Sequence, residues 1–371
     1  MSEYLLNNCI DTDFQKFLCP LNIMHFIAYS PKYCLSDNFV TPNNRKTKWR
    51  SFCCVLCYVL IFYTLLAFQT DLSYYDVAHI FVFVFIYLVA GVSFFVNYFV
   101  NSFQSDAHVN FVVIIQTIRS LLKFVNIDFK SFIIINWFYV FVVIFSYFCL
   151  FVTHIYQGKL TIVLSIHYIG LMIIDSNIIY IVRMIELLTH IIFTWMSELK
   201  YINDMEIDTN RLDRDLKKSY NTLTKAYLEV LKAACCFEEL ARIPVIFYTA
   251  RGFINIIIHV ECLLQFPQEF WSNAVAALIW IFKHFLLMLI ISFKTEKFYT
   301  TLKNTQVMML VPENTAESPR KRLLYRTVLR AGTAAYVGRQ SDAFALDATL
   351  PLNFFSCVAT YVVVLLQFRL T

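Results

Sequence analysis

The sequence predicts an all-α membrane protein with seven transmembrane helices, a cytoplasmic N-terminus, an extracellular C-terminus and a helical cytoplasmic anchor layer. Three observations carry this expectation. Hydrophobic residues make up 59% of the 371 positions and charged residues only 15%, with a mean hydropathy of +0.60. A soluble domain carries about 25% charge. Seven apolar stretches, near 51–69, 77–99, 131–153, 161–188, 243–265, 273–293 and 349–368, reach the roughly 20 residues that cross a bilayer as helix. Finally, 26 of the 31 Lys and Arg residues fall on one side of those spans and only Lys159 and Arg369 on the other, which makes the first side cytoplasmic.

The chain divides accordingly. Residues 1–50 form a cytoplasmic N-terminal segment, ending in Arg45, Lys46, Lys48 and Arg50 against the first span. No basic region with an apolar stretch behind it follows Met1, so no signal peptide is expected. Pro20 to Ser30 is too short to span and either lies on the membrane surface or packs against the bundle. Spans one to four occupy 51–188. A cytoplasmic helical extension, 189–242, leads to spans five and six at 243–293. A cytoplasmic loop and helix, 294–348, precedes span seven at 349–371, with 311–321 (Pro312, Glu313, Asn314, Glu317, Pro319) reading as a flexible loop. The outer loops are short, so an external ligand must enter the bundle itself.

The net charge of +5 follows from this asymmetry. Basic residues hugging span ends fit an anionic leaflet, not nucleic acid. The predicted outer loops hold none of the eleven cysteines, so no structural disulfide is expected. Cys53, Cys54 and Cys57 have no His or carboxylate near them in sequence and read as small apolar filler, not metal ligands. Histidines form no HxxxH or HExxH pair, and neither a phosphate-binding glycine loop nor a Gly-x-Ser-x-Gly elbow occurs. The residues support no enzyme, and no cofactor is expected.

In the cytoplasmic extension, Leu216, Tyr220, Leu223, Tyr227, Val230, Ala234 and Phe237 follow an unbroken 4-3 spacing, the seam of a coiled-coil-like contact. Such a helix either caps its own bundle or joins subunits, and joining is the favoured reading. Within the spans, polar groups are the functional candidates. His167, Tyr168, Asp175, His259, Glu261, Trp280 and Lys283 form the ligand-binding set. Asp175 and Lys283 sit at similar depth on spans four and six, as a neutralising pair would. Arg183, Glu186 and Arg251 lie near the inner boundary in structural roles. The competing reading is a set of satisfied interhelical hydrogen bonds.

Span seven carries a pattern of its own. At 100° per residue, Asn353, Ser356, Thr360, Gln367 and Thr371 fall in one narrow stripe, with Val364 filling the gap. Lipid offers no partner to an amide or hydroxyl, so the stripe faces protein or water. It is either helix-helix glue or a pore lining. The segment Thr360-Tyr361-Val362-Val363-Val364-Leu365-Leu366-Gln367-Phe368 resembles, without a mismatch, the TYhhhhhQF signature (h apolar) that ends the seventh span of the insect gustatory receptor family. Four fixed residues at fixed spacing match by chance roughly once in 10⁵ positions. Asp347 lies at the family's distance before Thr360, whereas Ser356-Cys357 replaces the Gly-Ala pair often found there.

The resemblance implies a ligand-gated, non-selective cation channel in the plasma membrane of gustatory neuron dendrites. It implies a homotetramer around a central cytoplasmic anchor, or a heteromer with related receptors. Spans two to six would form an outward-facing pocket for a small tastant, and Gln367 and Phe368 the constriction met by permeant cations. Sweet-taste members usually carry Glu after the signature Tyr, where this chain has Val362, so a bitter or deterrent compound is favoured over sugar. An odorant-receptor-like channel is the nearest alternative. A small-solute transporter would need inverted repeats or Gly- and Pro-broken spans, and neither is seen. A G-protein-coupled receptor would need the opposite orientation.

Overall fold

Apolar runs with few helix breakers wind into long helices, and this chain holds only six Gly and eight Pro. The computed structural model describes residues 8–27, 30–69, 77–122, 129–156, 162–208, 213–265, 270–315, 319–340 and 349–370, with side chains for part of them. Among the described residues there are ten helices and one hairpin. In chain order these are α1 Thr12–Ile27, β1 Cys34–Ser36, β2 Phe39–Thr41, α2 Arg45–Gln69, α3 Val77–Phe103, α4 Ser105–Leu121, α5 Phe129–Tyr156, α6 Ile162–Asp208, α7 Asp213–Gln265, α8 Phe270–Thr315, α9 Pro319–Gln340 and α10 Thr349–Leu370. Among the described residues the protein is all-α apart from the hairpin.

Two segments among the described residues, Phe129–Cys149 and Leu278–Met309, are long and apolar enough to cross a membrane. Leu350–Val364 is apolar over a shorter length. Phe138, Phe141, Phe148, Phe282 and Phe293 on the two longer segments are exposed.

Helices α6, α7 and α8 have 47, 53 and 46 residues. At 1.5 Å per residue they run about 70–80 Å, more than twice a hydrocarbon core of roughly 30 Å. Their polar halves meet with α9 in a layer of their own. Helix α7 passes unbroken through Pro244, where the sequence divides extension from span. Residues 311–315 are helical and helix resumes at Pro319, so the loop expected over 311–321 is much shorter.

The 4-3 seam is spent inside one chain. Tyr220, Leu223, Tyr227, Val230 and Phe237 are buried, and Ala234 is half-buried. The Trp195 indole N–H donates to the Leu223 carbonyl at 2.8 Å, and its ring lies 5.1 Å from Tyr227. Tyr220 donates its hydroxyl to Asn203 Oδ1 at 3.1 Å. The favoured reading of this seam as a subunit joint is therefore corrected: α6 of the same chain covers it. Leu216 has its side chain outside the described residues.

Helix α1 runs through Pro20, where the sequence suggested a short segment beginning. A mid-helix proline costs about 3 kcal/mol, and packing offsets it. Phe14, Phe17, Leu18, Leu21 and Met24 are almost fully buried, and the Phe14 and Phe17 rings lie 6.0 and 5.8 Å from Phe129. Of the two placements expected for this region, it packs against the bundle. The hairpin, unforeseen, pairs Leu35 with Val40 around Asp37 and Asn38, whose φ angles of 47° and 67° suit a primed two-residue turn.

A chain of amides ties this N-terminal layer to the bundle. His25 Nε2 lies 3.0 Å from Asn177 Oδ1 and its Nδ1 2.8 Å from the Leu21 carbonyl. Asn177 donates to Asn97 Oδ1 at 2.6 Å. The rings of His25 and His108 both sit edge-on to Tyr180, at 5.7 and 5.6 Å. Burial, then the Lys32 charge, pushes the His25 imidazole down to about 3 against the pull of its two acceptors. Burial, Lys32 and His25 hold His108 well below the usual value, and burial lowers Lys32 to about 7.

These shifts give stability a defined pH dependence. Unfolded imidazoles take up protons near 6.5, whereas folded His25 resists until about 3. Stability is complete above 6.5 and falls by up to about 1.4 kcal/mol per pH unit per group below it. Lys32 acts in the same sense from 10.5 down to about 7. The apparent melting midpoint of purified protein should drop steadily from pH 7.5 to pH 5. His108→Phe should flatten that slope, and an unchanged profile in the variant would count against the buried neutral ring.

Candidate functional site

Four of the helices described above each present a polar group to one point in the bundle. On α5, Val140, Val143 and Tyr147 repeat at helical spacing and are buried, so Tyr147 points inward. On α7, Tyr248, Arg251 and Gly252 share a face, and on α8, Trp280, Lys283 and His284 do. Helix α6 contributes Asp175 from a stretch buried on all sides.

Lys283 Nζ lies 2.7 Å from Asp175 Oδ2, so the pair expected from the sequence forms. Tyr147 donates its hydroxyl to the same oxygen at 2.6 Å and accepts from Lys283 at 3.1 Å. The ammonium also sits over the Trp280 ring, 3.8 Å from its centroid, and 5.1 Å from that of Tyr147. Such a cation is held by a carboxylate, a hydroxyl and two ring faces together. Asp175 is the more enclosed partner, with its side chain 4% exposed against 22% for Lys283.

Arg251 is buried here too, within electrostatic reach of Asp175, Tyr147 and Tyr248. Arg251, read from the sequence as structural, thus stands in the same cluster as Asp175. Charge on a span reveals depth, but not which neighbour it faces. One carboxylate thus meets two cations, and Arg251 Nη1 is buried without a hydrogen-bond partner among the described residues. The arrangement suits a ligand that brings an oxygen acceptor beside aromatic walls. Tyr248 and His284 complete the wall, with rings 5.2 Å apart.

Of the seven candidates, Asp175, Trp280 and Lys283 come together. His167, Tyr168, His259 and Glu261 have side chains outside the described residues. His167 is eight residues from Asp175 on α6, and His259 eight from Arg251 on α7, about 12 Å along each helix. Tyr147 and Tyr248 were missed because 22 tyrosines drown any single one. The usable signal was Tyr147 in the inward register of α5. Arg183 and Glu186 do hold structural places. Arg183 Nε donates to Asn136 Oδ1 at 2.5 Å, and Glu186 pairs with both Arg183 and Lys294. Cys53 and Cys57 are exposed at the head of α2, and Cys54 is half-buried.

The last helix docks by one face. Pro351, Phe354 and Val358 of α10 are buried. Phe354 and Tyr361 put their rings 6.3 and 6.2 Å from Phe253 of α7. The opposite face holds Asn353, Ser356, Thr360, Val364 and Gln367, all exposed. Thr360 donates its hydroxyl to the Ser356 carbonyl at 2.8 Å, which satisfies it without a neighbouring helix. Asn353, Ser356 and Thr360 therefore do not serve as glue to another described helix of the chain. The Phe368 side chain lies outside the described residues.

Arg251, Gly252 and Phe253 join the two features. Arg251 faces the Asp175 cluster, and a Cβ on Gly252 would meet Phe354 at 3.6 Å and His284 Nδ1 at 3.9 Å. Phe253 touches α10. A single turn of α7 therefore contacts both the polar cluster and the last helix. The chain matches no model of a known protein family and no curated protein.

Removing one partner of a buried ion pair costs about 3–5 kcal/mol, because the other is left uncompensated. Asp175→Asn should be the worse single change, since two cations then face no carboxylate, with Lys283→Met next. The double variant should regain over half of the summed loss in melting midpoint. Strictly additive losses would contradict the pairing.

Proposed function

We propose that the chain is a seven-span chemosensory cation channel of the insect gustatory type, opened by a small tastant that binds at the Asp175 cluster. The supporting observation is on α10: Asn353, Ser356, Thr360 and Val364 of its polar stripe are exposed, away from the face that docks on its own chain. One such stripe encloses nothing. Four copies around an axis would line a conduit, with Gln367 and Phe368 closing its outer end by amide and phenyl rings.

The spans in this reading are α2, α3, α5, the outer part of α6, the outer part of α7, the first half of α8, and α10. The exposed Phe138, Phe141, Phe148, Phe282 and Phe293 support lipid as their surroundings, since water would favour their burial. The polar halves of α6, α7 and α8 with α9 would form the cytoplasmic anchor, leaving subunit contacts to surfaces other than the seam. Catalysis has no place in this reading.

Gating follows from the shared turn of α7. A bound ligand that offers an acceptor to Arg251, or shifts Lys283 from Trp280, would move Arg251. Phe253 carries that movement to Phe354 and Tyr361, and the packing of α10 shifts the population toward the open state. A largely apolar compound with one or two oxygen acceptors fits the aromatic walls better than a sugar.

The test is electrical. In cells expressing this chain, Gln367→Ala should raise basal current or alter ion selectivity, because it removes a ring of amides from the closed state. Surface expression should hold. A tag after Thr371 should be labelled on intact cells and one before Met1 only after permeabilisation. Currents in Gln367→Ala with normal conductance, selectivity and leak would refute the α10 path, and reversed labelling would refute the topology.

A further inference from the structure

The head of α2 docks by one side. Ser51 and Val55 are buried, Val55 in a cluster with Phe94 and Tyr98 of α3, and the Tyr98 hydroxyl donates to the Lys48 carbonyl at 2.9 Å. On the opposite side Lys46, Trp49, Arg50, Cys53, Cys57 and Leu60 are all exposed. Turning 100° per residue puts these six within about 100° of one another around the helix.

Their order along the axis is that of a membrane boundary. The cations come first with Trp49 among them, the two thiols follow, and Leu60, 57% exposed, lies beyond. Cations suit anionic headgroups, an indole sits at headgroup level, and an exposed leucine suits hydrocarbon. Helix α1 ends at the same level: the Arg50 guanidinium lies 5.5 Å from the centre of the Phe26 ring, and Phe26 and Ile27 are exposed. The thiols therefore stand where headgroups give way to acyl chains. Other uses of the pair are poor. Side chains four apart on a helix have Cβ atoms about 5–6 Å from each other, beyond the roughly 3.5–4.5 Å of a disulfide. No group of three His, Cys, Asp or Glu that could hold a metal occurs among the described residues.

We propose that Cys53 and Cys57 are S-acylated by a long-chain fatty acyl-coenzyme A. Each cysteine sulfur attacks the thioester carbonyl carbon and forms a new carbon–sulfur bond. The bond to coenzyme A breaks, and the coenzyme A thiol leaves with the proton that the cysteine gives up. One thioester replaces another, so no oxidant or reductant takes part. Juxtamembrane thiols on a lipid-facing side are the acceptors this chemistry uses, and the attached chains run along the free side of α2 past Leu60. Lys46 and Arg50 face the phosphates of the incoming coenzyme A. The proposal rests on the topology proposed above, which puts the head of α2 on the cytoplasmic side, where acyl-coenzyme A is found.

The experiment expresses the full chain, tagged before Met1, in cultured eukaryotic cells. Free thiols are blocked, thioesters are cleaved with neutral hydroxylamine, and each released thiol is capped with a maleimide polymer that adds a mass step on a gel. The chain should show two hydroxylamine-dependent steps, Cys53→Ala or Cys57→Ala one, and the double variant none. Cys54→Ala, half-buried between them, should keep both. Incorporation of an alkynyl fatty acid should fall to background in the double variant, with expression and elution unchanged. Steps undiminished in the double variant overturn the proposal, since they put the acyl groups on other cysteines. Absence of any step while the tag needs permeabilisation to be labelled overturns it alone and leaves the channel reading standing. A tag labelled on intact cells overturns both.

Discussion

A polar group placed inside an apolar bundle is costly unless it finds a partner within the protein, and the lasting features of this molecule follow from that constraint. Asp175 could not remain charged among leucines and phenylalanines alone. It gathers Lys283, Tyr147 and Arg251 from three other helices, so the carboxylate sets the register of α5, α6, α7 and α8 at once. The amide chain through Asn97, Asn101 and Asn177 does the same for α3, α6 and the N-terminal layer. Where a polar stripe stays exposed, as at Asn353, Ser356 and Thr360 of α10, its exposure points outside the chain for an explanation.

The same constraint separates stabilising from responsive parts. The Arg183–Glu186–Lys294 cluster sets two cations on one carboxylate, but Glu186 pairs with both and Asn136 accepts from Arg183 Nε, so its groups hold one another. The Asp175 cluster has the same count of charges but keeps a buried guanidinium nitrogen, Arg251 Nη1, without a hydrogen-bond partner among the described residues. A cluster with an idle buried donor that contacts the last helix through one turn of α7 is the kind of element whose packing a small acceptor-bearing molecule could bias.

Much of the helical order was legible because apolar runs and their breaks are local properties. The Asp175–Lys283 pair was legible too, since each charge demands an opposite one at similar depth. What periodicity could not supply was the partner. The 4-3 seam of α7 marks a buried face correctly, yet only the fold shows that Trp195 of the same chain covers it. Arg251 illustrates the same gap, as does Pro20, where the aromatic packing of Phe14 and Phe17 on Phe129 outweighs a local rule. Asp37-Asn38 carried a readable turn signal, but the short flanking strands lay between longer apolar features and were passed over.

The central claim is that the free face of α10 meets water along a shared axis. Cysteine accessibility tests it most directly, in a Cys357→Ala background on intact cells expressing the full chain. A charged, membrane-impermeant thiol reagent should modify cysteines at Ser356, Thr360 and Val364 and block current, with little reaction at Phe355 or Leu366. Protection of all three stripe positions, or equal reaction all around the helix, would contradict the account.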